Sequence, residues 1–153
     1  MRKIDNQYLI KLYEVFETEN SVYMVMELLE GGSLLEYLRQ KGNIYESHSK
    51  KILKCLLRGI DYLDKNKIMH RDIKPENILF KNKDSLDEPC IVDFGLASRF
   101  DIDNYLFVRC GTPGFVAPEI ANLKSSNENQ TKYNSKVDIF SVGVIMHSMY
   151  FIS

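Results

Sequence analysis

Ile68–Phe80 reads IMHRDIKPENILF. His70, Arg71 and Asp72 stand together, Lys74-Pro75-Glu76-Asn77 follows, and the stretch closes on the apolar Ile78-Leu79-Phe80. A solvated turn between two elements has this composition. A site that handles phosphate has it too, because such a site needs a base, a cation and hard oxygen ligands close together. The rest of the chain decides between the two.

The 153 residues are 44% hydrophobic and 27% charged, the balance of a globular chain with a core. A net charge of −1 argues against a nucleic-acid or membrane surface driven by bulk charge. No apolar run approaches the roughly 18 residues that span a bilayer. The start, Met1-Arg2-Lys3-Ile4-Asp5, lacks the apolar stretch of a signal peptide. Cys55, Cys90 and Cys110 have no metal-ligand spacing and read as free thiols, which places the chain in the cytoplasm or nucleus rather than outside the cell. Asn129-Gln130-Thr131 fits the glycosylation pattern and reads as chance.

Two strands are expected at Tyr8–Phe16 and Val22–Leu29, joined by a turn at Glu17–Asn20. After Gly31-Gly32, Ser33 is placed to cap a short helix over Leu34–Arg39. Ser47–Asn66 has apolar residues at helical spacing: Ile52, Leu53, Leu56, Leu57, Ile60 and Leu63. Short strands are expected at Ile78–Phe80 and Ile91-Val92, joined by the polar loop Lys81–Pro89. Asp93–Glu119 reads as a long loop, Asn122–Asn134 as a surface insertion, and Val137–Phe151 as a largely buried helix.

Four motifs recur in one order. His70-Arg71-Asp72 is followed by Lys74 and, five residues after the aspartate, by Asn77; Asp93-Phe94-Gly95 comes sixteen residues later. Ala117-Pro118-Glu119 and Asp138-Ile139-Phe140-Ser141-Val142-Gly143 follow. Singly, each has a plain structural explanation: a turn after a strand, a solvated loop, a helix start with proline at its first position. Jointly they resemble the eukaryotic protein kinase domain, of which the first three motifs are an established signature. The resemblance covers nearly the whole chain.

It implies an α+β, two-lobed fold that is here incomplete: residues 1–29 as the last small-lobe strands and hinge, and 30–153 as a partial large lobe. It implies ATP and Mg²⁺ as cofactors and transfer of the γ-phosphate to protein hydroxyls. Asp72 would orient the acceptor hydroxyl, Lys74 would place a charge near the moving phosphate, and Asn77 and Asp93 would hold Mg²⁺. Met26 falls at the gatekeeper position, the backbone of Glu27 and Leu29 would meet the adenine edge, and Leu79 would close the floor beneath it. Lys74 and the segment Gly111–Glu119 resemble serine/threonine kinases, and the residue matching Thr112 there contacts the catalytic Asp and Lys. Leu12, His70 and Phe94 match an apolar spine, which Asp138 would anchor by hydrogen-bonding backbone near His70; a helix N-cap is its plainer role, and the two are compatible. Phe140 stands where many relatives carry Trp. The most similar group is the calcium/calmodulin-dependent kinases, with regulation of that type through regions not present here.

The chain also departs from the pattern. Arg71 would meet a phosphate on the activation loop, yet Tyr105-Leu106-Phe107-Val108-Arg109 offers no threonine before Cys110; apolar packing of Leu106, Phe107 and Val108 is the expected substitute. The Gly-rich loop and the Val-Ala-x-Lys strand are absent. Glu119 is expected to be a buried carboxylate without its arginine, a loss typically of about 3–5 kcal/mol. The 153 residues are therefore expected to be an inactive fragment of a serine/threonine kinase. A pseudokinase-like binding module is the alternative, weakened because Asp72, Asn77 and Asp93 are intact. A small-molecule phosphotransferase is disfavoured by the Ala117-Pro118-Glu119 segment.

Overall fold

The computed structural model describes residues 4–83, 85–101, 105, 107–123 and 132–151. Strands β1 (Leu12–Glu17) and β2 (Val22–Met26) form an antiparallel hairpin, closed where the Thr18 N–H donates to the Ser21 carbonyl at 2.8 Å. The first strand begins later than its sequence suggests. Leu9 and Ile10 are buried, and their backbone joins a different partner: the Ile10 N–H donates to the Ile91 carbonyl at 2.9 Å and the Ile91 N–H to the Tyr8 carbonyl at 2.8 Å. Two apolar residues thus enter the core before the chain turns outward into the hairpin.

Helix α1 (Leu34–Lys41) starts with a reciprocal cap: the Glu36 N–H donates to Ser33 Oγ at 3.1 Å and the Ser33 N–H to Glu36 Oε2 at 2.7 Å. Helix α2 (Glu46–Lys65) turns Ile52, Leu56, Ile60 and Leu63 into the core. Leu57, expected on the same face, is 43% exposed. It lies five residues beyond Ile52, about 140° further round the helix. Helix α4 (Lys136–Phe151) packs Val142, Ile145 and Met149 into that core but leaves Ile139, Phe140, Met146 and Phe151 exposed, so only one face of the expected buried helix is buried.

Two short antiparallel pairs pack against α1 and α2. β3 (Ile68–Met69) pairs with β6 (Ser98–Arg99), and β4 (Ile78–Phe80) with β5 (Pro89–Ile91). A 3₁₀ turn, Pro75–Asn77, leads into β4, and a four-residue helix α3 (Pro118–Ala121) ends the long loop. The β3–β6 pair lies inside stretches with no strand signal, because two-residue strands leave no alternation to detect. Of the expected surface insertion, residues 124–131 lie outside the described residues, as does the Asn129 glycosylation pattern. The architecture is α+β.

Candidate active site

The stretch His70–Asn77 is a turn held by long-range bonds. His70 is fully buried, and Arg71 has φ 70°, the left-handed region that non-glycine residues rarely enter. Asp138, on α4, supports the bend: its carboxylate accepts the His70 N–H at 2.7 Å and the Arg71 N–H at 2.8 Å. These are the bonds to backbone near His70 that the resemblance assigns to Asp138; the residue lies within the helix rather than at its N-cap, the plainer role weighed for it. The His70 ring receives the Asp72 N–H on Nδ1 at 3.3 Å and sits 2.9 Å from the Val92 carbonyl through Nε2. That pairing assigns the neutral tautomer with its proton on Nε2. Burial pushes the imidazole below its ordinary value, outweighing the nearby carboxylates of Asp138, Asp72 and Asp93.

Asp72 emerges from the turn with three partners. Thr112 Oγ1 donates to Asp72 Oδ1 at 2.6 Å, Lys74 Nζ stands 2.9 Å from Oδ2, and Asn77 Nδ2 donates to Oδ2 at 3.1 Å. Asn77 Nδ2 also reaches the Asp72 carbonyl at 2.9 Å, which commits the amide nitrogen and leaves Oδ1 as its other polar atom. Lys74 Nζ closes the group by donating to Thr112 Oγ1 at 2.8 Å. Partial burial pushes the Asp72 carboxyl up, but Lys74, Thr112 and Asn77 together hold it below the ordinary carboxylate value. Such a carboxylate is ionised and fixed in direction. It accepts or orients a proton rather than storing one.

The β4–β5 ladder sets Asp93 beside this group. Ile78 pairs with Ile91, and the Val92 N–H donates to the Asn77 carbonyl at 3.0 Å, so Asn77 and Asp93 leave neighbouring strands within one residue of the ladder. Asp93 has φ 60°, and its Oδ1 accepts the Gly95 N–H at 3.1 Å. Phe94 turns its ring edge-on to His70, with centroids 4.9 Å apart. Among the described residues no cluster of three or more His, Cys, Asp or Glu could hold a metal. One carboxylate and one amide oxygen do fit Mg²⁺, which keeps waters and takes further oxygens from a bound phosphate.

Above Asp93 opens a cleft of about 560 Å³, lined by Ile10, Met24, Met26, Leu79, Val92 and the backbone run Glu27–Leu29, with Asp93-Phe94-Gly95 at one end. The size and apolar walls suit a small planar ligand. Met26 is 43% exposed and so is a cleft residue, not a core one. The Glu27 N–H is spent on the Lys11 carbonyl at 2.9 Å; among the described residues no backbone bond uses the Glu27 carbonyl or the Leu29 N–H. Beyond Leu29 the chain is clamped to β4. The Gly31 N–H donates to the Phe80 carbonyl at 2.9 Å and the Phe80 N–H to the Gly32 carbonyl at 3.0 Å. A Cβ on Gly31 would stand 2.4 Å from the Asn82 carbonyl oxygen, which is why no larger residue fits. Lys81 Nζ reaches Glu27 Oε1 at 3.2 Å and ties the cleft wall to the same strand.

Other expected positions fall differently. Glu119 is exposed, so the buried unpaired carboxylate does not exist and its cost does not arise. Arg71 meets no carboxylate among the described residues; its guanidinium donates to the carbonyls of Leu96 and Phe107 and to the Tyr133 hydroxyl. Phe107 is 54% exposed, so the loop is not held by packing of that ring; Leu106 lies outside the described residues. Leu12 sits on β1 opposite Met26, and Phe140 is exposed. Three features escape sequence reasoning: the Glu27–Lys81 pair, the left-handed backbone at Arg71 and Asp93, and Tyr133. Only the last leaves a trace, as an aromatic residue in an otherwise polar run.

The family model for the protein kinase domain matches residues 1–152. The chain belongs to the protein kinase domain family. It is 42% identical over 149 residues to the Plasmodium falciparum protein named "Probable serine/threonine-protein kinase 2", covering 97% of this chain and 28% of that one. It is 40% identical over 148 residues to the serine/threonine-protein kinase H1 homolog of Pinctada fucata, covering 96% and 34%. It is 35% identical over 147 residues to the calcium/calmodulin-dependent protein kinase type 1 of Caenorhabditis briggsae, covering 96% and 39%. The kinase chain described here thus spans between about a quarter and two fifths of these relatives' lengths. No helix among the described residues is long and apolar enough to cross a membrane.

Proposed function

We propose that this chain carries the catalytic loop and the adenine-side cleft of an enzyme that moves the γ-phosphate of ATP to serine or threonine hydroxyls of proteins. The observation that carries the proposal is the Asp72–Lys74–Thr112–Asn77 group: an ionised carboxylate held by two polar partners and a lysine at 2.6–3.1 Å, one strand-step from Asp93. Asp72 faces the acceptor hydroxyl and takes or directs its proton. Lys74 offsets charge on the phosphoryl oxygens, and Thr112 fixes Asp72 and helps seat the acceptor. Mg²⁺, when bound with the nucleotide, neutralises phosphate charge; Asn77 Oδ1 and the Asp93 carboxylate are the oxygens that would hold it.

In the cleft, the Glu27 carbonyl and Leu29 N–H offer one acceptor and one donor to a purine edge, Leu79 supplies the floor, and Met26 limits depth. Arg71 orders the activation segment, and Glu119 stands in the first turn of α3 at its end. Residues 1–29 form the wall of a small lobe and hinge, and 30–153 part of a large lobe. The relatives' names support a serine/threonine preference and leave regulation of the calcium/calmodulin type as a property of regions outside these residues. These 153 residues contain neither a Gly-rich loop nor a Val-Ala-x-Lys strand, so by themselves they are expected not to turn over. The three cysteines, free and partly or fully buried, suit a reducing compartment, cytoplasm or nucleus.

The test uses the longest natural chain containing these residues, γ-labelled ATP, Mg²⁺, and serine, threonine and tyrosine peptides. Label on the serine and threonine peptides, lost in Asp72→Asn, is expected. Label retained in Asp72→Asn, or confined to tyrosine, overturns the assignment.

A further inference from the structure

Arg71 is 7% exposed, and a buried guanidinium ordinarily finds a carboxylate or phosphate. Among the described residues it forms no ion pair. Its Nε donates to the Leu96 carbonyl at 2.6 Å, and its Nη1 to the Phe107 carbonyl and, at 3.0 Å, to the Tyr133 hydroxyl. The Tyr133 hydroxyl in turn donates to the Val108 carbonyl at 2.8 Å. One phenol therefore accepts from the arginine and donates to the segment.

A phosphate at this place would be acceptor only. It would satisfy Arg71 but would set its oxygens against the Phe107 and Val108 carbonyls, which point into the same space. A neutral phenol has the one donor and the acceptor capacity that the space requires. Phe107-Val108-Arg109-Cys110-Gly111 also contains no hydroxyl to carry a phosphate. The consequences reach Asp72 within a few residues. Gly111 packs directly on the Arg71 carbonyl, where a Cβ would come to 2.8 Å, and Thr112 follows it to bond Asp72.

We infer that Tyr133 is a positioning residue that holds the activation segment in place of a loop phosphate, bridging Arg71 to Val108 so that Thr112 meets Asp72 without phosphorylation. Burial keeps the phenol protonated, with its pKa pushed up to about 12 against the pull of Arg71, so the bridge does not titrate near neutrality. This rests on Asp72 and Thr112 serving phosphoryl transfer, as proposed above.

The test compares the longest natural chain and its Tyr133→Phe variant, both treated with phosphatase and checked by mass spectrometry. Tyr133→Phe keeps the ring and removes only the bridging oxygen. Dephosphorylated wild type is expected to keep its rate within about twofold. Tyr133→Phe is expected to lose about tenfold or more in kcat, the scale of one hydrogen bond to a charged donor, with KM for ATP within about twofold. Amide exchange at residues 108–112 should speed up in the variant while that of α2 stays unchanged. Loss of wild-type activity on phosphatase treatment overturns the inference, and so does an unchanged kcat in Tyr133→Phe. If wild type transfers no phosphate in either form, the enzyme proposal fails instead. The exchange comparison then decides the bridge alone: faster exchange at 108–112 upholds it, and equal exchange removes it.

Discussion

Replacing Asp138 by asparagine tests what holds the catalytic turn. The native carboxylate accepts two backbone N–H groups, from His70 at 2.7 Å and Arg71 at 2.8 Å, at a residue with no exposure. Asparagine has the same shape but one acceptor oxygen. One of the two bonds survives; at the other, an NH₂ group faces an N–H. The lost charge-assisted bond is about 1.5–3 kcal/mol, and the orphaned buried donor adds a penalty of the same order. Against this, burial pushes the Asp138 carboxyl up, so removing a desolvated charge returns part of the loss. The net expectation is about 2–4 kcal/mol of destabilisation. The left-handed Arg71 should relax with it, because the two bonds are what hold φ at 70°. Urea unfolding followed by far-ultraviolet circular dichroism reads the effect. With a slope near 2 kcal/mol per molar, the midpoint should fall by about 1–2 M. A midpoint within about 0.3 M of wild type would show that the turn is held by something other than Asp138 and would refute the reasoning.

Other consequences are as specific. Thr112→Val removes the donor to Asp72 Oδ1, so in the longest natural chain kcat should drop by about 10²-fold, and the acid limb of its pH profile should move to higher pH as the carboxyl loses a group that lowers its pKa; an unmoved limb with unchanged kcat would contradict this. His70 is held neutral by burial, its pKa below the ordinary 6.5, so the unfolded chain takes up a proton that the folded chain refuses. Stability should fall as pH drops through about 6.5, by up to about 1.4 kcal/mol per pH unit, and His70→Phe should flatten that slope; parallel slopes from pH 7.5 to 5.5 would count against it. Gly31→Ala must push Asn82 and Phe80 apart, so binding of an adenine nucleotide, followed by fluorescence titration, should weaken by tenfold or more; unchanged affinity would show that the hinge exit can shift freely.

The legible part of this protein lay in motifs and helix faces. IMHRDIKPENILF, Asp93-Phe94-Gly95 and Ala117-Pro118-Glu119 fixed the order of the site, and the spacing of Ile52, Leu56, Ile60 and Leu63 fixed the main helix. What stayed hidden was set by long-range geometry. Leu9 and Ile10 left the expected strand because β5 offered their backbone a partner some eighty residues away. Asp138 is the exception: the resemblance assigned it bonds to backbone near His70, and its carboxylate does reach across the core to residues 68 and 67 positions earlier. Glu119 was expected to be buried from a resemblance, and the local chain instead leaves it in solvent. Tyr133 sat in a polar run whose periodicity says nothing about a ring anchored to Arg71.

The central claim is that Asn77 and Asp93 converge on one magnesium–nucleotide complex while the Glu27–Leu29 backbone holds the purine. Calorimetric titration with a non-hydrolysable ATP analogue, with and without Mg²⁺, tests it in wild type and in Asp93→Asn. Mg²⁺ should tighten wild-type binding, and Asp93→Asn should lose that gain while keeping the metal-free affinity. A magnesium effect of equal size in both proteins would contradict the account.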